Sequence, residues 1–321
     1  MKKLIILSMG LLLGSSLLFT ACKKDKTSDT EITNEAEMQS NDQALVADQT
    51  DDVSTDVSTM SENVGAISGF SAGSNPSNIV NTPIPYFPSP CNATVTYDTA
   101  NSVRTWTITY NGLNCAGTRT RTGVVTASIP AGVRWKDAGA QITVSYVNLK
   151  ITRVSDGKSI TVNGNIVITN VSGGLLRNLA TNSPITHTIS SSNMSITFDN
   201  GSQRTWSIAK QRVFTYNNGM VITTTGTHTD GATTGISEWG TNRFGNPFVT
   251  QITSPMVIRQ DCNFRLTSGA IKHSRLVRTV DVTFGLDANG NPTSCPGTGN
   301  YYMKIVWTNA SGTTVTLIRP Y

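Results

Sequence analysis

An alternation of polar and apolar residues runs through this chain from residue 94 onward, interrupted by regular turn signals. The alternating runs occupy residues 94–98, 104–110, 118–129, 141–154, 160–171, 195–199, 204–208, 212–216, 220–229, 248–259, 263–273, 274–284, 301–308 and 313–318. Asn-Gly and Asp-Gly pairs between such runs are typical of β-hairpins. No window shows sustained helical periodicity. The pattern predicts an all-β body of antiparallel strands.

Two parts of this pattern resemble each other. Residues 94–98 (TVTYD) match residues 195–199 (SITFD) in residue type, and each segment is followed by Arg-Thr-Trp, at 104–106 and 204–206. Tryptophan is rare, so the shared motif favours an internal duplication over chance similarity between β-rich segments. We predict two related, β-sandwich-like antiparallel units over residues 86–180 and 181–321, packed side by side or fused in one sheet system.

The first residues have the pattern of a secretory signal. Two lysines precede an apolar run over residues 4–18, and small residues then lead to Cys22. The run is too short and wrongly flanked for a spanning helix. The position of Cys22 resembles a bacterial lipobox, with Phe19 in place of the usual leucine. The resemblance implies that residues 1–21 are removed and that lipid on Cys22 holds the protein in the membrane. The alternative is an ordinary signal peptide with an accidental cysteine.

The net charge of +5 combines two oppositely charged parts. Residues 27–65 contain ten acidic and no basic residues, whereas residues 66–321 contain 20 basic and nine acidic residues, a net charge of +11. The acidic part has few aromatic residues, so we expect residues 22–85 to form a disordered tether, with at most a transient helix at 35–45. The basic part indicates either attraction to acidic polymers or merely a solvated basic surface.

Five cysteines are present, of which Cys22 is assigned to lipid. An even number of remaining cysteines in an exported protein favours disulfides. The remaining four allow three connectivities, and we prefer the local pairs Cys91–Cys115 and Cys262–Cys295. A metal site is disfavoured, because no pair has CxxC spacing.

The histidines of the sequence do not lie in catalytic motifs. The histidines are His187, His228 and His273, and none lies in a nucleophile motif such as GxSxG. Glycoside hydrolysis needs two carboxylates, and the body has one glutamate, Glu238, beside Trp239 in a segment that reads as a Gly-rich loop. We therefore assign no catalytic residue, no metal ligand and no cofactor.

The sequence does offer candidate ligand-binding residues. Trp135 and Trp239 lie in loop-like stretches, where exposed indoles stack on sugars and nucleobases. The basic residues nearest to Trp135 in sequence are Arg119, Arg121, Arg134 and Lys136. Period-two geometry places Arg119 and Arg121 on one strand face. These six residues form the predicted ligand site, for a glycan or another acidic polymer, with no specific nucleic acid expected.

Three motifs of the body, together with the lipobox and the Lys-Lys-Asp after it, resemble β-rich, lipid-anchored lipoproteins of Bacteroidota. They are YNGLNCAG at 110–117 with Arg119 and Arg121, CNFRLTSG at 262–269, and DVTFG at 281–285 with Cys295. The resemblance covers roughly residues 90–310. It implies an outer-membrane location and a β architecture, and no activity. A Bacteroidota O-glycosylation motif also fits Asp98-Thr99-Ala100, with Thr99 as the acceptor.

The sequence thus predicts a lipoprotein anchored in the outer membrane, on its periplasmic face or at the cell surface, with a non-enzymatic binding or structural role. The alternative is a polysaccharide-acting enzyme or a carbohydrate-binding accessory protein. Carboxylates clustered in a cleft near Glu238 would favour the enzyme, and exposed aromatic side chains without carboxylates would favour a binding module.

Overall fold

The structure, a computed structural model of the 321-residue chain, describes residues 29–68, 90–115, 117–274, 279–295, 299–308 and 312–321. Cys22 and the predicted signal lie outside these ranges. The helices are α1 (Asp29–Glu62), the one-turn α2 (Gly65–Ser68) and two 3-10 turns, η1 (Leu176–Asn178) and η2 (Gln260–Cys262). Among the described residues, no helix has the length and apolar character needed to cross a membrane.

The rest of the described chain is a meander of antiparallel strands, which confirms the all-β prediction. The strands are β1 (Ala93–Asp98), β2 (Val103–Leu113), β3 (Arg119–Pro130), β4 (Ala140–Arg153), β5 (Ser159–Asn170), β6 (Ile185–Phe198), β7 (Gln203–Tyr216), β8 (Met220–Gly226), β9 (His228–Asp230), β10 (Thr233–Thr241), β11 (Pro247–Arg259), β12 (Arg265–Ser274), β13 (Thr279–Leu286), β14 (Tyr302–Thr308) and β15 (Thr314–Pro320).

These strands form one hydrogen-bonded sheet. β1 to β7 pair in sequence order, and β10 to β15 continue the same path. Between the long strands β7 and β11, β10 fills one half of the gap and β8 the other, since each of them pairs with both long strands. β5 pairs with β6, so hydrogen bonding continues across the predicted unit boundary at residues 180 and 181. The two Arg-Thr-Trp segments also differ in register: Trp106 pairs with Tyr97, whereas Trp206 pairs with Met194.

The sheet buries one face. In β7 every second residue from Arg204 to Phe214 is buried, while the residues between them are partly or fully exposed. Strand alternation produces this division directly, because successive side chains point to opposite faces. The largest core cluster joins strands β1 to β7 with Phe248 of β11 and with the helix α1. A second cluster lies between β12 and β15.

Helix α1 covers part of this buried face, within the region where the sequence predicted a disordered tether. Its apolar contacts come from one narrow stripe, in which Val46, Val53, Val57 and Met60 are each at most 2% exposed. Their spacing of three, four or seven residues is that of one helix face. The stripe is sparse and made largely of valine, a weak helix former, so packing on the sheet supplies the stability that propensity lacks.

Both preferred disulfides are confirmed. Cys91 joins Cys115, with 5.4 Å between their Cα atoms, and thereby links the start of β1 to the end of β2. Cys262 joins Cys295, with 5.1 Å between their Cα atoms, and links η2 to the segment after β13. The first bridge closes a loop of about 25 residues, for which chain entropy predicts roughly 3 kcal/mol of stabilisation.

Packing of α1 on the sheet can be tested with a pair of valines. We expect Val57→Ala to lower the free energy of unfolding by about 2 kcal/mol, because a side chain that is 0% exposed loses its contacts and leaves a cavity. Val103→Ala is the matched control, since Val103 is 45% exposed and its truncation should cost less than about 0.5 kcal/mol. Urea denaturation measures both, and equal losses would contradict the packing of α1.

Candidate functional site

Polar contacts between α1 and the sheet form the most densely charged part of the described structure. We call this set the α1 seam: Asp42, Gln43, Asp56 and Glu62 of α1, with Arg121, Arg177, Arg204, Lys210, Glu238 and Arg243 of the β body. Three of its acids come from the helix and pair with cations of the body, and the fourth, Glu238, belongs to the body itself. The acidic and basic parts of the sequence therefore neutralise each other within one chain.

The centre of the α1 seam is Glu238, which is 0% exposed. Arg204 Nη2 lies 2.7 Å from its Oε2 and Lys210 Nζ lies 2.6 Å from its Oε1. Gln43 of α1 donates to Oε2 at 3.0 Å and accepts from Arg204 at 2.7 Å. Burial alone would raise the pKa of Glu238, but Lys210 and Arg204 together lower it below its usual value. Glu238 is therefore a charged group held between two cations.

Alternation along the sheet explains why these groups meet. Arg204 and Lys210 lie an even number of residues apart on β7, and both point to its buried face. Glu238 of β10 stands opposite Ile208 in the ladder, between the two cations. Glu238 thus lies in a strand, not in the Gly-rich loop that its sequence context predicted. The cations of the cluster require a buried anion, because an unpaired buried charge is costly.

The helix also contacts the body through Asp42 in its middle part and through Glu62, its last residue. Asp42 receives two hydrogen bonds from Arg243, at 2.6 Å from Nε and 2.5 Å from Nη2. Glu62 accepts backbone N–H groups of Leu176 at 2.5 Å and Arg177 at 3.0 Å, and its carboxylate lies 3.4 Å from Arg177 Nε. Burial raises the pKa of Asp42, and it raises that of Glu62 to about 7 against the lowering effect of its donors.

A third anchor holds α1 near β2 and β3. Asp56 accepts from Tyr110 Oη at 2.7 Å and from Arg121 Nη1 at 3.0 Å. Arg121 also donates to Asn92 at 3.0 Å, and its guanidinium lies 4.4 Å from the centroid of the Tyr110 ring. Burial raises the pKa of Asp56 even beside this arginine. Arg121 is only 7% exposed, so this contact corrects the prediction that it faces an external ligand.

The structure does not assemble the predicted basic patch. Arg119 and Arg121 lie at the start of β3, whereas Arg134 and Lys136 follow its far end, and a twelve-residue strand is about 40 Å long. Arg119 and Arg134 are half-buried and Lys136 is exposed. Trp135 is 0% exposed; its backbone N–H donates to the carbonyl oxygen of Ile67 at 2.7 Å and its ring contacts His187. The prediction that Trp135 is an exposed platform is therefore wrong.

Trp239 is the one predicted platform that remains accessible. It is half-buried on β10 and directly opposite Ser207 of β7. Because Glu238 precedes it in a regular ladder, Trp239 points to the sheet face opposite α1. Its ring stacks on that of His228, with 4.1 Å between centroids and 19° between planes. It also lines a recess of about 210 Å³ between β6, β7 and β10.

The other two histidines are core residues. His187 lies between the rings of Trp135 and Phe214, at 5.0 and 4.9 Å between centroids. His273 contacts Thr250 Oγ1 through Nδ1 at 3.0 Å. Burial lowers the pKa of each to about 3, so both are neutral at physiological pH. Both lie inside the sheet's buried face, where substrate has no access.

The remaining predicted sites are the O-glycosylation site, the lipidation site and the cysteines. Thr99 is half-buried in the turn after β1, where Asp98 accepts hydrogen bonds from Ala100 N at 3.1 Å and Asn101 Nδ2 at 2.6 Å. Its O-glycosylation stays a prediction. Lipidation concerns Cys22, which lies outside the described residues. The sulfur atoms of Cys262 and Cys295 lie near Asp261 but are joined to each other.

Sequence reasoning missed the seam residues of α1. Asp42, Gln43, Asp56 and Glu62 were treated as part of a disordered acidic segment. The signal that identifies them is the single helical stripe through Val46, Val53, Val57 and Met60, with polar residues beside it. A Ser-x-x-Glu pattern at residues 28–31, typical of a helix start, precedes the stripe.

Comparison with known proteins supplies no relative. The chain matches no protein-family model, no curated protein and no solved structure. The chemistry of the α1 seam and of the recess at Trp239 therefore follows from their own geometry.

The buried ion cluster gives a stability prediction. We expect Arg204→Met to lower the free energy of unfolding by about 3–5 kcal/mol, because it leaves Glu238 buried with one cation fewer. Adding Lys210→Met and Glu238→Gln together should recover part of this loss, because the triple variant leaves no unpaired charge of this cluster buried. Arg153→Met is the matched control: its ion pair with Asp156 is 38% and 35% exposed, and should contribute less than about 1 kcal/mol. Similar losses in the two single variants, measured by urea denaturation, would argue against a buried cluster.

The docking of Glu62 gives a pH prediction. A carboxyl whose folded-state pKa is raised contributes stability in full below its unfolded value, near 4.5, and this contribution is lost as pH rises through about 7. Wild-type stability minus that of Glu62→Gln should therefore fall between pH 5 and pH 8. The buried histidines have the opposite pH dependence, but both proteins carry them and they cancel. A difference that rises with pH would mean that Arg177 controls the titration.

Proposed function

We propose that this protein is a lipid-anchored lipoprotein of the outer membrane, on the periplasmic face or at the cell surface, with a non-enzymatic binding role. The anchor is supported by the signal-like run over residues 4–18 and by Cys22 directly after it. The observation that carries the proposal is the α1 seam. It fixes the acidic helix that follows Cys22 to the β body, and so it limits how far the body can lie from the lipid.

Because the α1 seam fixes the helix to the body, the tether between the lipid and the body is short. α1 begins at Asp29, seven residues after Cys22. Seven extended residues reach at most about 25 Å. A body fixed to α1 is thereby held within a short distance of the lipid surface, with the start of the helix toward the membrane. The recess at Trp239 lies on the sheet face opposite α1 and is not covered by the helix.

The non-enzymatic assignment is supported by the state of the candidate carboxylate. A general acid needs access to substrate and an elevated pKa. Glu238 is fully buried, both its oxygens face cations, and its pKa is lowered. It contributes to stability instead of chemistry.

The ion pairs of the α1 seam argue against acidic polymers as partners. Arg121, Arg177 and Arg243 bind acids of α1, and Arg204 and Lys210 bind Glu238. Three cations that contribute to the body's charge of +11 are thus paired with acids of α1, and two more share Glu238 inside the body. A binding role is favoured over a purely structural one because Trp239 and its recess leave an aromatic surface accessible.

The anchor is tested by labelling the full-length chain with an alkyne fatty acid in a lipoprotein-processing bacterium. We expect label on the wild type and partition into detergent, and loss of both in Cys22→Ala. The double variant Cys91→Ala/Cys115→Ala is the control: it removes two cysteines and should keep the label. An unlabelled wild-type protein, or label retained in Cys22→Ala, would overturn the lipid anchor.

A further inference from the structure

The recess at Trp239 has a chemical character different from the rest of the molecule. It is lined by uncharged groups: Ser192, Asn193, Ser195, Thr205, Ser207 and Trp239 supply its polar and aromatic surface. Hydroxyl and amide groups donate and accept hydrogen bonds at once, and an indole face offers an apolar platform. No charged residue contributes to the lining. A basic protein thus presents a neutral, hydroxyl-rich recess.

Local structure keeps the recess open. The β6–β7 ladder shifts register between Ser191 and Met194, and this bulge places Ser192 and Asn193 at the rim. On the other side, Gly240 lies against the β7 backbone so closely that a Cβ atom would collide with the carbonyl oxygen of Thr205. Glycine there lets β10 approach β7, and Trp239 stands directly opposite Ser207. The indole is held by His228, whose ring stacks on it.

We propose that this recess binds a neutral glycan, with Trp239 as the stacking platform and the serine and threonine hydroxyls as hydrogen-bonding partners. The inference rests on the proposed binding role and names its ligand class. The uncharged lining decides between the ligands that stack on tryptophan. A single-stranded nucleic acid or an acidic polysaccharide requires cations along its backbone, and the recess supplies none. A neutral sugar requires hydroxyl and amide partners beside an aromatic face.

The size of the recess limits the mode of binding. Pockets that enclose a small ligand have volumes of roughly 300–1,000 Å³. The recess of about 210 Å³ is smaller and open. It therefore suits one or two rings of a longer chain that continues across the exposed face of the sheet. Such contacts give weak individual affinity, which increases when many anchored copies bind one polymer.

The test is binding of the detergent-extracted full-length protein to immobilised neutral hexose oligosaccharides, with uronic-acid oligosaccharides and single-stranded DNA as charged arms. We expect salt-resistant binding to at least one neutral probe and at least tenfold weaker binding by Trp239→Ala. Ser207→Ala should weaken binding severalfold while leaving the tryptophan in place. Phe244→Ala is the matched control, because Phe244 is a 44% exposed aromatic residue that does not line the recess, and it should bind normally.

Each other outcome is informative. No binding to any neutral probe, or equal binding by wild type and Trp239→Ala, would overturn the glycan site and leave the lipid anchor untouched. Salt-sensitive binding to the charged arms alone would also overturn it. Release of reducing sugar from a bound probe would overturn the non-enzymatic role instead. Urea denaturation of Trp239→Ala and Ser207→Ala checks that both fold, so a loss of binding in either one reports on the recess.

Discussion

A sheet that buries only one face needs another element packed against that face. In this protein the element is α1, and it packs next to charged residues buried on the face. Arg204 and Lys210 project from β7 into the core, beside the only glutamate of the body, Glu238. Two cations and one anion leave a net positive charge inside a low-dielectric region. Gln43 satisfies part of this cluster, and Asp42 brings a further negative charge near Arg204. The position of α1 thus follows from electrostatics as much as from apolar burial.

This dependence explains the division of charge along the sequence. Considered separately, the acidic N-terminal part has the composition of a solvated tether. The basic body has the composition of a surface that binds polyanions. In the structure Asp42, Asp56 and Glu62 neutralise arginines of the body. The three arginines lie in the turn between β10 and β11, in β3 and in η1, so α1 bridges segments distant in sequence. Breaking the α1 seam would expose both apolar surface and cations together.

Most strands could be predicted from the sequence, because alternation and Asx-Gly turns are local signals. β10 was an exception, since part of it was predicted to be a Gly-rich loop. Both disulfides join cysteines that are near in sequence, as predicted. The helix could not be predicted, since its stripe contains weak helix formers and its stability comes from partners distant in sequence, such as Tyr110 for Asp56, 54 residues away. Trp135 was misjudged for the same reason. A loop-like sequence does not reveal that the backbone of Trp135 pairs with Ile67 and that its indole packs against His187.

The burial of Trp135 and the exposure of Trp239 together narrow what the surface can recognise. The four cations of the predicted patch, Arg119, Arg121, Arg134 and Lys136, lie at opposite ends of β3, and Arg121 is directed inward, so these four cannot act as one patch. The accessible aromatic residue lies instead among serine, threonine and asparagine on the sheet face turned away from α1. Because the acids of the helix pair with cations of the body, we propose that the outer face recognises a neutral ligand. In this proposal charge holds the helix on one face of the sheet, and the uncharged groups of the other face remain for the ligand.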